Sequence, residues 1–159
     1  MKILGHRHTG IIVCDFDVML KFYLGMGLVL RRRDLEKGPM IDGLIGTKGI
    51  LLETAKLVLE DMNNPIGYSF QIELMKIKNI NIAYEKNKQV VFDFTKRPLG
   101  VLDLAFTVDD IIAIRNYIIL NGGDLIGEPL KLVSGFPALH CYARDPEGNV
   151  LHLAQNLND

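Results

Sequence analysis

The opening unit of this chain occurs twice, and few architectures accept such a duplication. His8-Thr-Gly-Ile-Ile-Val and Asp103-Leu-Ala-Phe-Thr-Val both read as short strands in which apolar residues alternate with small or polar ones. Behind the first comes Asp15 as a helix N-cap, then an apolar stripe at Phe16, Met19, Leu20 and Tyr23, then a stop at Gly25 and Gly27. Behind the second come Asp109 and Asp110, then Ile111, Ile114 and Ile118, then Gly122 and Gly123. The opening strands are related by 103 − 8 = 95 positions, whereas the closing strands, Gln71-Ile-Glu-Leu and Val150-Leu-His-Leu, are related by 152 − 73 = 79. The smaller second offset places extra residues inside the first copy. The expected fold is α+β: two tandem βαβββ modules, 1–78 and 100–159, joined by a linker at 79–99 within a single domain, with the helices on the outer face of a mixed sheet.

In the first module a strand at 4–13 feeds the helix, and further strands are expected near 28–33, 50–57 and 68–77, with a turn-like stretch through Gly43 and Gly46. In the second module Asp145-Pro146-Glu147-Gly148 is a tight-turn sequence before the last strand, with Gly148 available for positive φ. The first module has the longer stretch 60–67 at that place. The linker is too long for a simple connection, and 79–84 and 89–94 both look strand-like around Glu85-Lys86-Asn87-Lys88. A decorated surface linker is the expectation, with a lid or dimer contact as the lesser reading.

Charge and composition narrow the partners. A chain of 159 residues, 48% hydrophobic and 23% charged, has the balance of a globular domain, and a net charge of −1 provides no field for a polyanion. Nucleic acid and anionic membranes are therefore not expected as partners, whereas a small molecule is. No apolar run approaches the roughly 20 residues that span a bilayer, and no basic-then-apolar leader is visible, so the expected location is the cytoplasm. Cys14 and Cys141 lack CxxC spacing and are expected to be reduced and structural.

Alternation sorts the chemistry onto one face. Residues i and i+2 of a strand share a side, so Thr9, Ile11 and Val13 oppose His8, Gly10 and Ile12, and Leu104 and Phe106 oppose Asp103 and Ala105. In the closing strands Ile72 and Leu74 oppose Glu73, and Leu151 and Leu153 oppose His152. The apolar sets suit the helices, which leaves His8, Glu73, Asp103 and His152 on the other side. Taken singly, each is more often a hydrogen-bonded or solvated polar residue. Jointly, two imidazoles and two carboxylates at repeat-related positions are the donor set for one divalent metal ion such as Zn²⁺, Ni²⁺, Co²⁺, Mn²⁺ or Fe²⁺, with Gly10 and Ala105 leaving room beside it. His6 and His140 are expected in supporting or surface roles. Arg31-Arg32-Arg33 is read as a solvated strand end, with the lesser reading that one of them holds a substrate carboxylate or phosphate.

These pieces together resemble the vicinal-oxygen-chelate superfamily. The resemblance rests on His8-Thr-Gly-Ile-Ile-Val with Lys21-Phe22-Tyr23, on Ile72-Glu73-Leu74, on Ala105-Phe106-Thr107-Val108-Asp109-Asp110 and on Arg144-Asp145-Pro146-Glu147-Gly148-Asn149, and it covers nearly the whole chain. It implies paired βαβββ modules forming a cupped sheet around a metal ion. Function varies widely on this fold, from glyoxalase I, methylmalonyl-CoA epimerase and fosfomycin-resistance enzymes to extradiol dioxygenases and metal-free bleomycin-binding proteins. The ligand order implied by the glyoxalase and epimerase branches is His, Glu or Gln, His, Glu. Here it is His8, Glu73, Asp103, His152, which keeps the count of two imidazoles and two carboxylates while exchanging two places. The Asn that contacts glutathione in glyoxalase I, four residues after the second ligand, is replaced by Ile77, so no glutathione adduct is assigned as substrate.

The leading functional expectation is a glyoxalase-like isomerase, epimerase or lyase that moves a proton next to a metal-polarised carbonyl, with Glu73 as base and Asp103 in reserve. The alternatives are an Fe(II) extradiol-type dioxygenase built on His8, His152 and one carboxylate, and a non-catalytic binding or resistance protein with an apolar cavity near Ile12 and Met75. A homodimer is implied by the resemblance alone.

Overall fold

The computed structural model describes residues 2, 6–61, 68–80, 100–101, 103–132 and 137–157. Contacts divide the chain into two compact units, Met1–Tyr84 and Glu85–Asp159. Unit one runs β1 (Thr9–Ile12), α1 (Phe16–Gly25), β2 (Val29–Lys37), α2 (Pro39–Ile45), β3 (Leu51–Glu60) and β4 (Tyr68–Ile77). Unit two runs β5 (Leu104–Thr107), α3 (Ile111–Leu120), β6 (Asp124–Leu132), β7 (Ala138–Arg144) and β8 (Val150–Asn156). Each unit has one four-stranded mixed sheet, ordered β1-β4-β3-β2 and β5-β8-β7-β6, in which the first strand pairs parallel with the last and the other pairings are antiparallel. The fold is α+β, built from two βαβββ modules.

The repeat holds to the residue. Asp15 caps α1 by accepting from the Val18 amide, and Asp110, 95 positions on, caps α3 by accepting from the Ile112 and Ala113 amides. The helices, the glycines behind them (Gly27 at φ 98° and Gly122 at φ 87°) and the strands β2 and β6 keep the same spacing. In the parallel pairs Gly10 stands opposite Glu73 and Ala105 opposite His152, so the closing strands are displaced by 152 − 73 = 79. Antiparallel register then sets Lys56 opposite Glu73 and Tyr142 opposite His152, an intermediate offset of 142 − 56 = 86. The first module therefore carries 95 − 86 = 9 extra residues between β2 and β3 and 86 − 79 = 7 between β3 and β4.

The first insertion is helix α2, where glycines led to the expectation of a turn. Gly38 enters at φ 99°, Pro39 occupies the first helical turn, and Gly46 ends it in the left-handed region. Ile41 supplies the buried contact that holds this short helix, packing with Ile50 and Leu52. The linker from 81 to 99, with the expected hairpin, and residues 62–67 lie outside the described residues. Asn79, expected at a strand start, instead sits in a bend, where its side chain accepts from the Leu51 amide at 2.9 Å and donates to the Gly49 carbonyl.

The helix-facing layer follows the alternation. Ile11, Val13, Ile72 and Leu74 are buried in unit one and Leu151 and Leu153 in unit two, each full burial stabilising by about 2 kcal/mol. Phe16, Met19, Leu20 and Tyr23 form the buried stripe of α1, joined by Phe22. On α3 the stripe departs from expectation, because Arg115 is buried between Ile111 and Ile118 while Ile114 is only half-buried. Its guanidinium earns that place by donating to the Gly127 carbonyl and the Glu128 carboxylate, both at 2.9 Å. Cys14 and Cys141 are both thiols.

Candidate functional site

In unit one the face opposite α1 carries His8, Gly10 and Ile12 from β1 and the residue before it, Glu73 from β4, Lys56 from β3 and Arg32 from β2. Gly10, Glu73, Lys56 and Arg32 form one row across the sheet, each opposite the next. His8 Nε2 lies 3.1 Å from Glu73 Oε2, and Lys56 Nζ lies 3.6 Å from Glu73 Oε1. The Glu73 side chain is about one-tenth exposed, so these two groups are its means of offsetting burial. His8 Nδ1 is buried and has no hydrogen-bond partner among the described residues. Arg32 pairs with Asp34, while Arg33 turns to the helix side and reaches Glu53, Asp17 and the face of Phe16.

In unit two the equivalent face carries Asp103 beside Ala105, His152 on β8, and His140 and Tyr142 on β7. His152 Nε2 meets His140 Nδ1 at 3.0 Å, and the two rings are stacked with centroids 5.2 Å apart. Tyr142, the cross-strand partner of His152, stacks on it at 4.7 Å. Burial holds the His152 imidazole below its ordinary pKa, the Asp103 carboxylate works to raise it, and His140 lowers it again. The Tyr142 phenol is pushed up, chiefly by burial and then by Asp103.

The structure thus brings His8 to Glu73 within unit one, and sets Asp103 and His152 on the same face of neighbouring strands within unit two. Among the described residues no group of three or more His, Cys, Asp or Glu side chains forms a ready metal cluster. The donors stand in pairs. Lys56 and Tyr142 escaped sequence reasoning because their placement depends on the β3–β4 and β7–β8 registers, across connections of unequal length. His140 was expected in a supporting or surface role, and it stands in contact with His152. His6 is exposed, with Nε2 3.4 Å from the Thr9 hydroxyl.

Within each unit one imidazole and one carboxylate are donor types that a divalent cation accepts. Beside them lies His8 Nδ1, a buried nitrogen without a hydrogen-bond partner among the described residues. One turn holds β7 and β8 together. Gly148 closes the β7–β8 turn at φ 90°, and the buried Asp145 carboxylate there accepts from the Glu147 and Asn149 amides and the Asn149 side chain at 2.8–3.0 Å.

No profile of a known protein family matches the sequence, and no curated protein matches it. Solved structures do. The chain is similar to a glyoxalase family protein from Bacillus cereus, with a TM-score of 0.79 and 27% identity over 99% of this chain and 97% of that one. It is similar to glyoxalase I from Zea mays at a TM-score of 0.60 and 20% identity, covering 94% of this chain and 46% of that one, so it spans about half the length of the maize protein. It is also similar to a glyoxylase/bleomycin resistance protein/dioxygenase domain from Frankia sp., with a TM-score of 0.60, 19% identity, and coverage of 99% and 95%. Among the described residues no helix is long and apolar enough to cross a membrane.

Proposed function

Starting from the vicinal-oxygen-chelate fold of this chain, we propose a glyoxalase-like enzyme of the isomerase, epimerase or lyase type, which moves a proton next to the carbonyl of a small-molecule substrate. The observation that supports it most is the equivalence of the two modules: Gly10 opposite Glu73 and Ala105 opposite His152 put one acid and one imidazole at matched positions, each beside a small residue. In this reading His8, Glu73, Asp103 and His152 hold one divalent cation. The cation supplies Lewis acidity that polarises a carbonyl oxygen.

The proton itself is the work of Glu73. Its carboxylate takes the proton from the carbon next to the carbonyl and returns it. His8 Nε2, 3.1 Å from Oε2, orients the carboxylate and leaves one oxygen to act. Lys56 Nζ, nearer Oε1, balances its charge. Asp103 is the second candidate base. The test is wash-in of solvent deuterium next to the carbonyl across a panel of small α-hydroxy- and α-oxo-carbonyl compounds. Glu73→Gln retains most of the bound metal and loses about 100-fold or more of the exchange rate; unchanged exchange removes Glu73 from the role.

Lys56 also favours a second reading, a metal-free small-molecule binding protein, because an ammonium already stands beside the acid that would meet the cation. Elemental analysis of untagged protein purified without added metal separates the two. One equivalent of Ni, Co, Zn or Mn supports the enzyme, iron directs attention to dioxygenation, and no metal supports the binding protein.

A further inference from the structure

The arginine run of β2 contains a break in register. Pairing with β3 passes from Leu30 opposite Leu57 directly to Arg32 opposite Lys56, so a bulge sets two residues, Arg31 and Arg32, against one. Arg33, next along, turns to the helix side and is taken up by Glu53 and Asp17. The other two are not. Arg31 is exposed and has no hydrogen-bond or ion-pair partner among the described residues, while Arg32 gives only its Nε to Asp34 and leaves about two-thirds of its side chain exposed. Lys56 stands across the ladder as a further cation, and at 3.6 Å from Glu73 Oε1 its ammonium is beyond ordinary hydrogen-bond length. Like charges directly opposite one another on an antiparallel ladder destabilise the pair. An anion placed between them reverses that sign, and planar guanidinium groups match the paired oxygens of a carboxylate or phosphate. Strands lie about 4.8 Å apart, so along this row Lys56 is roughly 5 Å and Arg32 roughly 10 Å from Glu73.

We propose that Arg31, Arg32 and Lys56 form an anion-holding subsite, which takes the carboxylate or phosphate end of a small molecule whose other end reaches Glu73. The substrate class is then a carbonyl compound that carries an acidic group a few bonds from the reacting carbon. For the chemistry at Glu73 this rests on the enzymatic reading; the subsite itself lies wholly within unit one and requires no metal ion.

Two pairs of probes test it: 4-oxopentanoate against its methyl ester, and dihydroxyacetone phosphate against dihydroxyacetone. Titrations followed by the backbone amide shifts of β2 and β3 give dissociation constants without turnover. The charged member binds about 10-fold or more tighter in at least one pair, and the pair with the larger ratio tells carboxylate from phosphate. The double variant Arg31→Gln/Arg32→Gln brings that ratio below about 3-fold, and Lys56→Gln lowers it as well. Lys37→Gln removes the same charge from an exposed site on the helix side of β2 and leaves the ratio unchanged. A ratio that survives the double substitution, or that falls equally with Lys37→Gln, overturns the proposal. So does a wild-type ratio near one; a double variant that then self-associates assigns the bulge to protection of β2, the edge strand of its sheet. Absence of deuterium wash-in with the ratio intact removes the enzymatic reading and keeps the subsite.

Discussion

Three glycines with unlike surroundings allow one substitution to be tried with three expected results. A Cβ added at Gly123 meets the Arg144 carbonyl oxygen at less than contact distance and lies 2.6 Å from Ile118 Cγ2 and 3.2 Å from the Ile118 carbonyl oxygen. Two of these neighbours are backbone, and Ile118 is fully buried, so relief requires moving α3 away from the end of β7. Overpacking of this kind costs about 1–3 kcal/mol, and the entropic gain of Gly→Ala in the unfolded chain returns less than about 1. Gly123→Ala is therefore less stable by about 2 kcal/mol, a fall in Tm of roughly 4–8 °C for a chain of this size. Gly43, in exposed α2, has nothing within 4 Å of the added carbon and a helical backbone, so Gly43→Ala stabilises by about 0.5–1 kcal/mol. Gly10 is intermediate, since its added Cβ meets only the mobile end of Met75, at 2.6 Å from Cε. Urea denaturation followed by circular dichroism ranks the three. The reasoning fails if Gly123→Ala loses less than about 0.5 kcal/mol, or if Gly43→Ala falls below the wild type.

Two other expectations concern charge. Burial works to raise the Glu53 carboxyl, but hydrogen bonds from Arg33 and Lys78 outweigh it and hold the pKa below its ordinary value. A depressed carboxyl stabilises above its unfolded pKa and loses that contribution as pH falls through the folded one, so Glu53→Gln costs about 1–3 kcal/mol at pH 7. The gap to wild type closes below about pH 4, as paired acid-unfolding curves will show; a gap independent of pH contradicts the assignment. Asp145→Ala deprives three N–H donors of a buried acceptor, for a loss of about 2–4 kcal/mol, and hydrogen exchange at the Glu147 and Asn149 amides of the turn quickens ahead of β8.

What could be read from the sequence was whatever short-range chemistry determines. Asp15 and Asp110 cap helices with their own side chains, and alternation in four- to ten-residue strands assigns Ile72 and Leu74 to one side and Glu73 to the other. The repeat offset made the two faces comparable before any contact was known. Tertiary register was out of reach. His140 meets His152 across a diagonal of two strands, and Lys56 faces Glu73 across a connection seven residues longer than its counterpart, so no local pattern reports either contact. Helix α2 was missed because Gly43 and Gly46 were weighed as breakers, when Gly46 is the cap and Ile41 the anchor. Arg115 was missed because a buried guanidinium is explained by partners distant from its helix turn, the Gly127 carbonyl and the Glu128 carboxylate.

The duplicated backbone also explains how an acid and an imidazole come to occupy matched places. Glu73 and His152 occupy equivalent positions on equivalent strands, so the main chain presents an acid and an imidazole in the same way. Their neighbours make the difference. Across from Glu73 the row continues through Lys56 to Arg32, whereas across from His152 it continues through Tyr142 to Ile126. One row is cationic and the other is aromatic and apolar. Burial in the second row keeps His152 below its ordinary pKa and hence neutral at pH 7, which is the form in which an imidazole ligates. In the proposed reading this inequality has a use, since Glu73 would change protonation while the His152 lone pair would not. The scaffold is twofold in backbone and single in charge.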